Sequence, residues 1–130
     1  MLLRRFLLLL CAASLLASCG GSQPQLPGFD TSAWRSDPYG CKSVRSNQAK
    51  ALLAGKEQLY GLRTATIDKM LGRPDEEELA EQTEKIYYYY LEPGLQCEPA
   101  HQRSGANKIS IRFGSLGTVT EILTDKPLSR

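Results

Sequence analysis

The first residues of this chain constrain what the rest can fold into, because they mark a segment that is not part of the folded domain. Arg4 and Arg5 precede an apolar run over residues 6–16, and small residues follow that run. A positive head, a short apolar stretch and small residues are the three parts of a secretory signal peptide. The apolar run holds about 11 residues, whereas a helix that spans a bilayer needs roughly 20. We therefore expect residues 1–18 to be a cleaved signal peptide.

The end of this signal peptide resembles the lipobox of bacterial lipoproteins. Leu16, Ala17 and Ser18 occupy the three positions before Cys19. The small Ala17 and Ser18 give a peptidase access to the backbone, and the Cys19 thiol can take a thioether-linked diacylglycerol. Each buried acyl methylene contributes about 0.8 kcal/mol, so two or three chains hold a protein on a membrane. The resemblance predicts lipidation at Cys19; the alternative is an ordinary signal peptide that happens to contain a cysteine.

The residue after the lipidated cysteine bears on where the protein is held. Gly20, rather than an aspartate, follows Cys19. In a Gram-negative host this resembles the default signal for transfer to the outer membrane, with the domain facing the periplasm. In a Gram-positive host the lipid would lie in the plasma membrane. Either way we expect the protein in the cell envelope, with its lipid as the contact to the membrane.

Residues 19–42 have the composition of a linker. They are rich in glycine, serine, glutamine and proline, which favours a flexible tether. Phe29 and Trp34 are unexpected in a linker, and they dock either on the domain or on a partner. The sequence thus predicts a signal peptide at 1–18, a lipidated N-terminus and tether at 19–42, and a folded domain at 43–126.

Four cysteines reduce to one candidate pair. Cys11 leaves with the signal peptide and Cys19 carries the lipid, so Cys41 and Cys97 remain. Two thiols in an exported protein suggest a disulfide, which in the chain-entropy model could stabilise a small domain by about 4 kcal/mol. The alternative is a pair of free thiols. A redox or nucleophilic role would need a CxxC motif or a paired histidine, and neither is evident.

The charge balance argues against a nucleic-acid partner. The whole chain has 16 Lys+Arg and 14 Asp+Glu, but Arg4 and Arg5 belong to the signal peptide. The exported protein is therefore formally neutral, so its net charge gives no electrostatic indication of nucleic-acid binding.

The first half of the domain has two helical patterns. Ser43 is a plausible cap for a helix that runs to about Ala54 and ends at Gly55. Thr64 is the N-cap candidate for a second helix, which runs to Leu71 before Gly72 and Pro74 stop it. The acidic segment 75–84 lacks the spacing and the glycine turn of a calcium loop, so a solvated loop is expected there.

The second half predicts three strands. Four tyrosines in the segment 85–91 favour a strand, with Tyr88 and Tyr90 beside Ile86 on one face and Tyr87 and Tyr89 beside Leu91 on the other. Residues 108–113 alternate, with Ile109, Ile111 and Phe113 directed to a core. A turn at 114–117 leads to a last strand at 118–124, where the inward residues are Val119 and either Ile122 or Leu123. The expected fold is a two-layer α+β domain, with two N-terminal helices packed on a three-stranded antiparallel sheet.

One segment resembles a known family. Gly61, Ile67, Leu71, Gly72 and Pro74 have the spacing of the SmpA/OmlA family pattern of a glycine, a helix and Leu-Gly-x-Pro. The family, which includes the small BamE-like lipoprotein of the outer-membrane β-barrel assembly machine, has a helix-capping serine or threonine two residues after the glycine. Here Arg63 stands at that position and Thr64 follows it. The resemblance covers roughly residues 43–124 and implies structural roles for Gly61, Gly72 and Pro74, which turn the chain from helix to sheet.

The residues carry no recognisable catalytic set. His101 is the one histidine, and with Cys97 it offers too few ligands for a metal site. We expect no enzyme activity, no metal and no cofactor other than the lipid on Cys19. Instead we expect a scaffold or binding module, whose partners by resemblance are envelope proteins such as the β-barrel assembly machine. Tyr87 and Tyr89 are the candidate partner-binding pair, on the assumption that Ile86 faces the core. The alternative is an inhibitor-like or small-ligand-binding periplasmic module of similar fold.

Overall fold

The computed structural model describes residues 23–128. Within them the chain is α+β, as predicted, with three α-helices and one four-stranded antiparallel sheet whose strands pair in sequence order. The prediction was one helix and one strand short. The helices are α1 Thr31–Arg35, α2 Val44–Ala54 and α3 Thr64–Leu71, and the strands are β1 Glu76–Leu79, β2 Lys85–Tyr90, β3 Lys108–Phe113 and β4 Val119–Thr124.

Helix α2 lies where the sequence placed it, but another residue caps it. Ser43 occupies the N-cap position with a φ of 59°, and its side chain makes no capping hydrogen bond. The buried carboxylate of Asp37 accepts hydrogen bonds from the backbone N–H groups of Lys42 at 2.7 Å and Arg45 at 3.1 Å. An upstream side chain thus satisfies one free N–H group of the first helical turn, that of Arg45.

Helix α3 has the predicted bounds, but its N-cap is Arg63 and not Thr64. The Thr64 hydroxyl instead donates to the carbonyl of Gly117, which joins the helix start to the β3–β4 turn. The helix ends at Gly72, whose φ of 76° is rarely adopted by other residues. Pro74 then leads the chain to β1. This is the helix-to-sheet turn expected at Gly72 and Pro74, and Gly61 also has a positive φ, of 80°.

The segment 75–84 is not simply the solvated loop that its composition indicated. Glu76–Leu79 forms an edge strand that pairs with β2, with Glu76 opposite Tyr88 and Leu79 opposite Lys85. Glutamate has a low strand propensity, so the composition of this segment does not predict a strand. Contacts across the strand pair offset this low propensity, and one of them is the ion pair of Lys85 with Glu77 at 3.0 Å.

Strands β3 and β4 confirm the predicted alternation. Ile109, Ile111 and Phe113 are buried between the sheet and the helices. On β4 the inward residues are Val119 and Ile122, and a register shift between Arg112 and Phe113 explains why their spacing is not regular.

The segment 23–42 is not the flexible tether that its composition predicted, over the part that the structure describes. Asp30 caps helix α1, accepting hydrogen bonds from two backbone N–H groups. Leu26 and Trp34 are buried in the main core, and Phe29 packs against it. Trp34 therefore docks on the domain, and the folded unit begins well before the predicted boundary at residue 43.

Candidate interaction surface

The predicted lipidation site lies outside the described residues. Cys19 and the signal peptide 1–18 precede Gln23, where the described part begins. Across residues 23–128 we find no helix with the length and apolar character needed to cross a membrane. Lipidation at Cys19 therefore stays a prediction from the sequence.

The candidate pair Tyr87 and Tyr89 does not lie on the surface, and that prediction is wrong. The two side chains are 4 % and 0 % exposed. Strand pairing places them opposite Ile111 and Ile109, so they share the face that the helices cover. The Tyr89 ring packs against Trp34 at 5.9 Å between centroids, and its hydroxyl donates to the carbonyl of Gly72 at 2.9 Å. These two tyrosines belong to the core.

The opposite side of the sheet, which we call the outer face, carries the other set of alternating residues. The β-strand register places on it Glu76 and Glu78 of β1, Ile86, Tyr88 and Tyr90 of β2, Lys108, Ser110 and Arg112 of β3, and Glu121 and Leu123 of β4. Tyr88 is partly exposed and Leu123 is 52 % exposed. Both are opposite Ser110, so they lie about 10 Å apart across β3.

The tyrosine hydroxyls of the outer face are held by the acidic strand β1. Tyr88 donates to Glu78 at 3.0 Å, and Tyr90 donates to Glu76 at 2.6 Å. Burial and the neighbouring carboxylates raise the pKa of both tyrosines above the usual value. Tyr88 thus keeps a fixed orientation while part of its ring remains accessible.

Cations cover the aromatic rings of this face. The Lys108 ammonium lies 5.3 Å from the ring centroids of both Tyr88 and Tyr90. Arg103, which comes from the β2–β3 loop, lies 5.8 Å from the Tyr88 ring and forms an ion pair with Glu76 at 3.0 Å. Mixed charges around an accessible tyrosine are typical of the rim of a protein–protein interface.

The β2–β3 loop is fixed against the start of the domain. The structure has the Cys41–Cys97 disulfide that the cysteine count indicated, with a Cα–Cα distance of 5.8 Å. The rings of Tyr39 and His101 stack with 4.1 Å between centroids. The buried Gln96 amide donates to the carbonyl of Tyr39 at 3.0 Å. These contacts hold the loop over the end of the outer face, where it buries Tyr90.

A buried ion pair joins the helices to the first strand. Arg45 donates to the carboxylate of Asp75 at 2.6 Å, and both side chains are almost fully buried. Asp75 also accepts from the backbone N–H groups of Tyr39 and Tyr90. Burial raises the pKa of Asp75, while Arg45 and the two N–H groups oppose that effect. The Arg45 guanidinium and the Asp75 carboxylate thus have partners within the fold. The pair holds α2 against the start of β1, and neither group is free to act as an acid or a base.

Cys97 and His101 do not form a ligand pair. The Cys97 sulfur is bonded to Cys41, so it cannot act as a thiolate ligand. The His101 Nδ1 lies 2.8 Å from the carbonyl of Gln96, and its ring stacks on Tyr39. Among residues 23–128 no three side chains of the metal-binding types cluster together.

Comparisons of the chain with protein families, with curated proteins and with solved structures found no match. The resemblance to the SmpA/OmlA family therefore stays a prediction that depends on the short segment 61–74 and the order of elements.

The sequence missed the residues that the outer face presents, namely Tyr88, Arg103 and Leu123. One signal could have identified Tyr88. In an extended chain Leu91 falls on the same face as Tyr87 and Tyr89. That set is apolar, and so are the alternating residues Ile109 and Ile111 of the next strand. Pairing this set with Ile109 and Ile111 gives the observed arrangement. Arg103 lies in an irregular loop, and its position follows only from the tertiary structure.

Proposed function

We propose that this chain is an envelope lipoprotein, held on a membrane through Cys19, that acts as a non-enzymatic binding or scaffold module. Its protein partner would contact the outer face of the sheet around Tyr88 and Leu123. The observation that carries this proposal is the exposure of Leu123 on the same sheet face as a partly exposed, hydrogen-bonded tyrosine about 10 Å away. Tyrosine and arginine are enriched among the residues that dominate binding energy.

The composition of the outer face favours a protein partner. Ion pairs between strands, such as Arg112 with Glu121 at 3.5 Å, partly neutralise the face. Nucleic acid would need excess positive charge, and the outer face has acidic as well as basic side chains. An aromatic and an aliphatic side chain with a charged rim match the pattern of a protein interface. We propose envelope proteins as partners, and the β-barrel assembly machine is the first to test, because of the family resemblance.

The membrane part of the proposal has a direct test. Replacement Cys19→Ala removes the thiol that would carry the lipid, so the variant should move from the membrane fraction to the soluble fraction of the producing cells. Mass spectrometry of the unaltered protein should show a diacylglycerol on Cys19. A protein that stays in the membrane fraction after Cys19→Ala would contradict the lipid anchor.

The binding part is tested by crosslinking in intact cells. A photocrosslinking amino acid is placed at position 88 or 123 on the outer face, and at position 50 as a control. Lys50 is exposed on α2, on the helical side of the domain. Crosslinks to β-barrel assembly subunits from 88 and 123, with none from 50, are the expected result. Crosslinks to a soluble periplasmic enzyme would instead favour the inhibitor-like alternative, and crosslinks from 50 alone would contradict the choice of face.

A further inference from the structure

The point where the chain enters the domain defines one end of the molecule. Leu26 packs against Gly55, directly after the last residue of α2, so closely that a Cβ at Gly55 would lie 2.7 Å from a Leu26 methyl carbon. From there the chain runs back along α2, and the Asp30 backbone N–H donates to the side-chain oxygen of Gln48 at 2.7 Å. The chain therefore enters at the C-terminal end of α2.

Both hairpin turns lie at this same end. After α2 the chain reaches Gly61, whose N–H donates to the carbonyl of Val119 at 2.9 Å, and then Thr64, whose N–H donates to the carbonyl of Gly117 at 3.1 Å. Lys85 is opposite Phe113, so the β1–β2 turn lies beside the β3–β4 turn. We call this the entry end.

The opposite end, which we call the loop end, holds the disulfide. At the N-terminal end of α2 the Ser46 hydroxyl donates to the carbonyl of Leu91, directly after β2. The β2–β3 loop with Cys97 begins there. A helix of 11 residues is about 16 Å long, and a strand of six residues about 20 Å. The two ends are thus separated by most of the length of the domain.

The distance from Cys19 to the domain is short. Gln23 is four residues after Cys19, and an extended chain spans at most about 3.6 Å per residue. Gln23 therefore lies within about 14 Å of Cys19, whatever the path between them. Leu26, at the entry end, is seven residues after Cys19, so a lipid on Cys19 would hold the entry end within about 25 Å of the membrane surface. The orientation of the domain within that reach depends on which of its ends contacts the lipid.

An exposed leucine lies at the entry end. Leu116, in the β3–β4 turn, is 91 % exposed, and Leu79, at the end of β1, is 77 % exposed. The turn is held in place because Gly117 accepts two hydrogen bonds from Thr64. The segments at this end carry charged side chains of both signs, with Lys56 and Glu57 soon after α2 and Glu84 and Lys85 at the β1–β2 turn. Apolar contact, rather than net charge, is therefore expected to orient this end on lipid.

We propose that Leu116 inserts into the lipid surface that holds Cys19, so that the domain stands on its entry end and its loop end points away from the membrane. This inference rests on the proposed lipidation of Cys19. It explains why a turn that is firmly held to α3 presents an apolar side chain at its tip. It also leaves the outer face accessible from the side, where Tyr88 and Leu123 would meet a partner.

The test measures the depth of two labels on the acylated full-length protein. Leu116→Cys and, as a matched control at the loop end, Leu95→Cys are each labelled with an environment-sensitive fluorophore. Leu95 is 60 % exposed, and Cys41 and Cys97 are bonded to each other, so the new thiol is the one that reacts. The proteins are placed in phosphatidylethanolamine vesicles, with or without phosphatidylglycerol, that contain a nitroxide-bearing lipid.

We expect the nitroxide to quench the label at position 116 several times more strongly than the label at position 95, in both lipid mixtures. Equal quenching would mean that the domain lies on its side, and stronger quenching at 95 would mean that it is inverted; either result overturns the inference. Quenching that appears only with phosphatidylglycerol would also overturn it, because charge would then set the orientation. Mass spectrometry of the same samples separates these failures from absence of the lipid, which would refute the proposed anchor itself.

Discussion

The two faces of strand β2 carry the same residue type for different purposes. Tyr87 and Tyr89 point toward the helices, where Tyr89 packs on Trp34 and Tyr87 packs edge-on against Phe113 at 4.9 Å. Tyr88 and Tyr90 point away from the helices, and their hydroxyls are bonded to the glutamates of β1. The inner face therefore packs its tyrosine rings in the core, while the outer face joins its tyrosine hydroxyls to charged side chains of the sheet.

This difference shows that the role of each tyrosine is set by the side chains around it, since the residue type is the same on both faces. On the inner face the neighbours are apolar, both aromatic and aliphatic, so the rings contribute mostly apolar burial. On the outer face they are charged, so the rings are covered by Lys108 and Arg103. Stability should therefore depend on the inner pair, and recognition on Tyr88.

The largest expected effect is on the free energy of unfolding when a tyrosine of either face is truncated to alanine. Tyr89→Ala should lower the free energy of unfolding by about 3–5 kcal/mol, since it removes a fully buried ring. Tyr88→Ala should cost roughly 1 kcal/mol, because the side chain is partly exposed. Urea denaturation of the two variants with the disulfide intact measures both values. Similar losses for the two would show that the outer face is as important to the fold as the core.

A second prediction compares the buried ion pair beneath the helices with an exposed ion pair of the sheet. Asp75→Asn should cost about 3 kcal/mol, because it leaves the buried Arg45 guanidinium without a counter-charge. Glu84→Gln, which breaks the more exposed ion pair with Arg112, should cost less than about 1 kcal/mol. Denaturant unfolding at neutral pH gives both numbers. The double variant Arg45→Met with Asp75→Asn should be more stable than Asp75→Asn alone; if it is not, the unpaired charge is not the cause.

The elements that the sequence predicts best are those whose pattern is local. Residues 108–113 alternate strictly, and residues 64–71 have an apolar stripe that ends at Gly72, so both were predicted with the observed bounds. The cysteine count likewise led to Cys41 and Cys97. In each case a short stretch of sequence, or a count, contains the physical cause of the structure.

The elements that were missed depend on contacts between distant residues. Strand β1 consists largely of glutamates, and it is a strand because Tyr88, Tyr90 and Lys85 supply partners across it. Residues 23–42 have the composition of a linker, yet Leu26 and Trp34 find a place in the core. Neither cause can be read before the sheet is assembled.

The prediction of which tyrosines face the core was wrong for a related reason. Ile86 was expected to mark the core face, because isoleucine is usually buried. It is indeed buried, but on the outer face, opposite Arg112. An apolar residue can be covered by long charged side chains as well as by a core, so one isoleucine did not determine which face packs on the helices.

The smallest expected effect concerns the ionisation of the inner tyrosines. Burial, together with the Asp68 carboxylate, raises the pKa of Tyr87 from 10.0 to about 12, and burial raises the pKa of Tyr89 as well. The folded chain therefore holds these protons more tightly than the unfolded chain does. The stability that they contribute is fully present below a pH of about 10, and it is lost as the pH rises through the folded pKa.

For Tyr87 the loss should be roughly 2 kcal/mol at most, since part of the shift is screened by solvent. Unfolding by urea at about pH 9 and about pH 11.5, with tyrosinate absorbance recorded in parallel, measures it. Tyr87→Phe should reduce the alkaline loss, because the phenol that ionises is gone, whereas Tyr88→Phe should change it less. An alkaline loss that is unchanged in Tyr87→Phe, yet smaller in Tyr88→Phe, would place the sensitive phenol on the outer face and reverse the comparison between the two sides of β2.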